Sequence, residues 1–185
     1  MKLNYQNIIK DDNSLLREKS EPVALPLSAE NQELLTAMLT YVKDSVDPQK
    51  SQEEDLRPAV GIAAIQLGIR KQMIAVAIQD ENGDFLEYAL VNPKIISHSV
   101  QNSYLKNGEG CLSVENMHEG YVYRHARITV KAYDLLQEKE ITLRAKDYLA
   151  IVLQHEIDHL SGTLYYDHID KTNPFKEDPE AVVIE

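Results

Sequence analysis

The sequence predicts an α+β fold in which antiparallel β-sheets pack around one central, metal-binding helix. Three observations lead there. Runs rich in β-branched and aromatic residues fill the middle of the chain from Gln72 to Arg144. Short polar turns join several of them, which makes neighbouring strands antiparallel. After the last run comes the most apolar helical segment of the chain, Tyr148 to Leu160, which has to be buried among the sheets.

The elements follow in order. Leu34, Leu35, Met38, Leu39, Val42 and Val46 recur at helical spacing, so an amphipathic helix runs from its cap at Ser28 to near Val46. Asp47 to Pro58 is polar, contains two prolines and reads as an exposed loop leading to the stretch Ala59 to Gln66. Gln72 to Ile78 and Phe85 to Val91 flank a turn at Asn82-Gly83 and form a hairpin. Further strands are expected at Lys94 to Val100, Tyr121 to Tyr133 and Ile141 to Arg144. The central helix spans Asp147 to Ser161, with Gly162 as its terminating glycine. The segment 171–185 is charged, carries two prolines, and should wrap the surface or fray.

At 185 residues the chain is expected to be a single domain with one core. Its one cysteine, Cys111, excludes an intramolecular disulfide and suits a reducing compartment. Met1 to Asn13 lacks the apolar stretch of a signal peptide and no segment approaches a membrane span, so the expected location is cytoplasmic. Thirty acidic against nineteen basic residues set a net charge of −11, which repels phosphate backbones and opposes a dedicated nucleic-acid binder.

The central helix contains His155-Glu156-Ile157-Asp158-His159. Histidines four apart lie one above the other on a helix face, so both imidazoles can reach one divalent ion, with Glu156 beside them as a base. Burying these groups in so apolar a helix would be costly without a partner, and a metal would satisfy them. Downstream, His168, Glu177 and Glu180 are the candidates for a further ligand, none at metzincin spacing. Upstream stands the only thiol, in Gly108-Glu109-Gly110-Cys111-Leu112-Ser113, where flanking glycines would let the backbone approach closely on a turn leading into an extended run. Cys111, His155 and His159 make a site with an open fourth position that accepts zinc, iron, cobalt or nickel. Asp158 projects from another helix face and is expected to support the site rather than ligate. His98, His118, His125 and His168 show no ligand spacing, with His118 and His125 expected nearest the mouth of the site. The tyrosine hydroxyls are expected at the surface.

Three motifs in this order resemble those of the peptide deformylases: GxGxAAxQ at Ala59 to Gln66, EGCLS at Glu109 to Ser113, and HExDH at His155 to His159. The segments Gly120 to Arg127 and Tyr165 to Asp170 are similar to the second bacterial subclass, so the resemblance runs from about Val60 to Asp170. The first motif departs from the pattern. Ala59 replaces its first glycine and Ile65 its proline, while Gly61, Ala63, Ala64 and Gln66 are retained.

The resemblance implies a hydrolase that removes the formyl group from the N-terminal methionine of nascent peptides. It implies native Fe2+, with Zn2+, Ni2+ or Co2+ able to substitute, and an oxyanion held with help from the Gln66 side-chain amide and the Leu112 N–H. Val60, Gly61, Glu109 and Gly110 would bind the peptide, and Tyr148, Ile151 and Val152 would wall the methionine pocket. Glu109 and Arg124 would pair to hold the cysteine loop. A transient ribosome contact follows from the nascent-chain substrate. Two other readings are a zinc peptidase with a ligand from the tail, opposed by the upstream EGCLS, and a silent relative binding metal or blocked peptides, opposed by retention of Glu156 and Gln66.

Overall fold

A computed structural model describes residues 1–185. Ser28 caps helix α1 (Ala29–Ser45) by accepting a hydrogen bond from Asn31 N. Where a loop was expected, Asp47 caps a short helix α2 (Pro48–Glu53), accepting from the N–H groups of Gln49 and Lys50. Proline at the first position of a helix starts it rather than breaking it, so the same residue that suggests a loop here opens a turn of helix.

The strands are β1 (Gly61–Ala63), β2 (Met73–Gln79), β3 (Phe85–His98), β4 (Asn102–Leu105), β5 (Arg124–His125), β6 (Arg127–Asp134), β7 (Lys139–Lys146) and β8 (Val182–Ile184). Helix α3 (Asp147–His159) lies between β7 and β8 in the chain. A five-stranded antiparallel sheet has the order β1-β2-β3-β6-β7, and a three-stranded sheet has the order β5-β4-β8. The hairpin β2–β3 turns at Asp80 to Asp84 as expected.

Alternation along β2 explains the packing. Met73, Ala75 and Ala77 face the core shared with α1, while Ile74 and Val76 face the core shared with α3. Burial on both faces is why the run Met73 to Ala77 is continuously apolar. Full burial of a side chain such as Leu153 contributes about 1.5–3 kcal/mol before entropy is counted. Helix α3 also packs against β4 and β5, so it sits between the two sheets, as a central helix should. No helix is long and apolar enough to cross a membrane.

Several boundaries differ from the expected ones. The two runs Phe85 to Val91 and Lys94 to Val100 are one strand, with the register shift between Val91 and Lys94 absorbing Asn92 and Pro93. Asn92 takes φ +52 and its side chain bonds both backbone groups of Val23, so the bulge is tied down and the missing Pro93 N–H is not needed by the ladder. The expected strand Tyr121 to Tyr133 is divided. Arg124 and His125 pair with β4, and the chain then crosses at Ala126 to the large sheet. The segment 171–185 returns to the rest of the chain: Tyr121 N and Tyr123 OH donate to the carbonyls of Pro174 and Lys176, and β8 adds to β4 in parallel. The tyrosine hydroxyls are not all at the surface, since buried Tyr41 donates to the Arg57 carbonyl and accepts from its N–H. Together with Ser45 Oγ, which accepts from Ala59 N, Tyr41 holds the approach to β1.

Candidate metal centre

The HExxH helix forms with its ligands directed inward because Ala150, Ile151, Val152 and Leu153 bury the preceding turn. Gln154 fixes the helix against β5, accepting from His125 N and donating to His125 O, both at 2.9 Å. Past the helix, Gly162 has φ +75, and a Cβ there would lie 2.3 Å from the Arg17 carbonyl oxygen, so glycine is required twice over. The loop carrying Cys111 leaves β4 through Gly108 at φ +77. A Cβ on Gly108 would lie 3.3 Å from the Gly120 carbonyl oxygen, a close backbone approach, whereas one on Gly110 would meet no protein atom within 4 Å. Cys111 does not enter an extended run. Its carbonyl accepts from Val114 N across a tight turn.

This turn brings the thiol to the two histidines. One ligand atom each from Cys111, His155 and His159 lies within 4.8 Å of the others, and Cys111 Sγ is 3.4 Å from His159 Nε2. His155 Nδ1 lies 2.8 Å from Glu109 Oε1. A carboxylate accepts only, so Nδ1 carries a proton and Nε2 is the ring nitrogen left to face a cation. A thiolate and two imidazoles suit a borderline divalent ion. Burial alone would push the Cys111 thiol up, but His159 and then His155 beside it bring it down to about 5, so the sulfur is a thiolate at neutral pH.

Glu109 is buried and faces Arg124 as a two-pronged pair: Nε donates at 2.7 Å and Nη2 at 2.9 Å. Both side chains are only 3% exposed. Burial would raise the Glu109 carboxyl, but the hydrogen bonds from His155 and Arg124 hold it below its ordinary value. Removing one partner of such a buried pair typically costs about 3–5 kcal/mol, so this pair does hold the cysteine loop.

Glu156 is buried, its Oε2 has no hydrogen-bond partner, and it faces the same cavity as the ligands. Burial raises its carboxyl against the opposing pull of His155 and His159, a direction that suits a proton acceptor near neutral pH. A Cβ on Gly61 would lie 2.5 Å from Glu156 Oε1, so the glycine of β1 makes room for the carboxylate. Gln66 lies in the 3₁₀ turn Ala64–Leu67. Its Oε1 accepts from Ala63 N at 2.9 Å and its Nε2 donates to Ser113 Oγ at 3.1 Å, so the amide nitrogen is turned toward Cys111, 3.5 Å away. Ile65 is part of that same turn, which is what brings Gln66 back beside the thiol.

A cavity of about 400 Å³ gathers Val60, Gly61, Gln66, Cys111, Leu112 and Glu156, with Glu109, Gly110, Tyr148, Ile151, Val152 and His155 also in its lining. His159 completes the cluster from behind this surface, buried at 1% exposure. The family model for polypeptide deformylase matches residues 5–175. The chain belongs to the peptide deformylase family. It is 50% identical over 183 residues to peptide deformylase 2 of Bacillus subtilis (strain 168), covering 99% of both chains. It is 51% identical over 184 residues to the peptide deformylase of Macrococcus caseolyticus (strain JCSC5402), covering 99% of this chain and 100% of that one. Among solved structures, the peptide deformylase from Ehrlichia chaffeensis superposes with a TM-score of 0.72 at 28% identity, over 94% of this chain and 91% of that one. The Met-Ala-Ser-bound class I type b peptide deformylase from Acinetobacter baumannii gives 0.68 at 28% identity, over 88% and 96%.

Within this deformylase site, some residues were not legible in the sequence. Ser113 orients the Gln66 amide, and the Tyr165 ring lies parallel to that of His155 at 6.1 Å. The serine stood in the EGCLS motif without a role, and nothing local signals the tyrosine contact. His118 and His125, expected near the mouth, do not line the cavity. The His118 ring stacks on Tyr166 at 4.0 Å, and that of His125 on His98 at 3.7 Å, so aromatic partners from other elements turn both away.

Proposed function

We propose that Cys111, His155 and His159 hold one divalent ion, natively Fe2+ with Zn2+, Ni2+ or Co2+ able to replace it, and that Glu156 is the general base beside it. As a peptide deformylase, the chain removes the N-formyl group from nascent peptides. The observation that carries the reading of the site is the gathering of the three ligand atoms within 4.8 Å, beside a cavity that Cys111 and His155 line together with Glu156 and Gln66. When bound, the ion supplies Lewis acidity and makes water a usable nucleophile near neutral pH.

The chain's own residues do the rest. Glu156 takes the proton of the attacking water and delivers it to the departing amine nitrogen. The Gln66 Nε2–H and the Leu112 N–H donate to the oxygen that becomes negative as the formyl carbon turns tetrahedral. The Leu112 N–H has no acceptor within the protein, which leaves it available. Strand β1 is the edge of its sheet, paired with β2 on one side, so the free side at Val60 and Gly61 can receive an extended peptide. Tyr148, Ile151 and Val152 present apolar surface for the methionine side chain and exclude water from it.

The free thiol of Cys111 suits the reducing cytoplasm. Exposed Arg127, Arg144 and Lys146 around a second depression along β6 and β7 support a transient ribosome contact. The test is anaerobic metal analysis paired with turnover of formyl-Met-Ala-Ser. One ion per chain and a formyl-dependent hydrolysis are expected, with the iron form failing in air while a nickel form survives, because iron beside a thiolate promotes its oxidation. Hydrolysis of unblocked peptides, or equal survival of both forms with Cys111 unmodified, would contradict the reading.

The departures in the first motif should matter little to the reaction. Ala59 is not among the residues with positive φ, so alanine is unstrained there. Ile65 is fully buried and packs into the core shared with α3, away from the cavity lining. Ala59→Gly with Ile65→Pro is expected to change kcat/KM by less than about tenfold, equivalent to about 1.4 kcal/mol. A hundredfold gain from an almost inactive parent would instead favour a silent relative.

A further inference from the structure

Five side chains form an unbroken polar path from the metal centre to the surface. His155 bonds Glu109, Glu109 is gripped by Arg124, and Arg124 Nη1 donates to Asp158 Oδ2 at 2.9 Å. His168 Nε2 reaches that same Asp158 oxygen at 2.7 Å. Exposure rises outward from Glu109 and Arg124, both 3%, to 26% at Asp158 and 34% at His168, with His155 at 11% at the inner end.

The geometry makes each link depend on the next. A guanidinium is planar and its donors are fixed relative to one another. Nε and Nη2 of Arg124 can stay on both Glu109 oxygens only in one plane, and the bond from Nη1 to Asp158 selects that plane. The Glu109 carboxylate in turn sets the ring orientation and tautomer of His155. The Asp158 carboxylate is partly exposed, and His168 holds it from the solvent side while Arg124 bonds it from within. His168 ends the 3₁₀ turn Tyr165–His168, whose Tyr165 ring lies parallel to that of His155. Asp167 of the same turn is anchored to Arg17 at 2.6 Å. One turn therefore bears on His155 both through a ring and through the polar path.

We infer that Asp158 and His168 are positioning residues of the metal centre, acting through Arg124 and Glu109 on His155. The inference rests on Cys111, His155 and His159 being the metal ligands.

The test loads the full chain with nickel and follows its release to a chelator, alongside KM and kcat for formyl-Met-Ala-Ser. His168→Ala should release nickel about tenfold faster, at the low end of the usual effect of losing such an outer partner, with KM unchanged. His168→Gln keeps an N–H donor for Asp158 and should restore most of the retention. Asp158→Asn should also speed release, and adding His168→Ala to it should change little, because the two act along one path. Unchanged release in His168→Ala, full additivity of the two substitutions, or faster release accompanied by a raised KM without rescue by glutamine would each overturn the inference. A parent chain that retains no nickel would remove the ligand assignment and the inference with it, whereas a parent that holds nickel no better than His168→Ala removes the inference alone.

Discussion

Glu156→Gln is expected to lose nearly all deformylation while keeping its metal. The substitution preserves shape in a site that has little room, since the carboxylate lies against Gly61 so closely that a single methyl group on that strand would collide with it. It leaves Cys111, His155 and His159 in place. What it removes is the group that accepts a proton, since an amide nitrogen cannot, and the buried Oε2 has no other partner to suggest a structural duty. General acid–base catalysis is typically worth about 10²–10⁴ in rate, so kcat should fall by about that factor. Metal stoichiometry and kcat are to be measured on the same preparation. A variant that keeps its metal and more than a few per cent of activity would assign the base elsewhere, and one that loses its metal would make Glu156 part of the ligand set.

Gln66→Ala should cost about 10²–10³ in kcat, the usual effect of deleting one donor to a developing oxyanion. The amide is aimed by two bonds, one accepted by its oxygen from Ala63 N and one donated by its nitrogen to Ser113 Oγ. An amide held this way would cost little to align when charge develops on the substrate, which is the basis for expecting so large an effect. KM should change much less than kcat, because the interaction strengthens only as the carbonyl becomes an oxyanion. Ser113→Ala is the control, expected to lower kcat by less than Gln66→Ala since the Ala63 bond still orients the amide. If Gln66→Ala raises KM with kcat intact, the residue binds the ground state and the oxyanion has another donor.

Much of this site was legible because its chemistry is local in sequence. His155 and His159 face one way through helix periodicity, and Gly162 marks the end of their helix by a backbone need that no other residue meets so easily. The cap at Ser28 and the turn at Asn82-Gly83 are likewise short-range effects, and the structure has both. Cys111 was legible only because it is the single thiol and stands in a recognisable motif.

What the sequence determined by itself was helices α1 and α3, the β2–β3 hairpin and the identity of the reactive groups, because periodicity, capping and residue chemistry act within a few residues. Tertiary structure decided how those groups are aimed. The joining of two runs into β3 depends on Asn92 bonding Val23, and the parallel addition of β8 depends on a tail returning to β4, contacts between residues far apart in the chain. Likewise Gly61 is needed for Glu156, Ser113 for Gln66, and Arg124 joins Glu109 to Asp158, all through contacts between separate segments of the chain. Such contacts leave no periodic trace in the chain, because a side chain's partner is set by where the folded backbone places it and not by its spacing along the sequence.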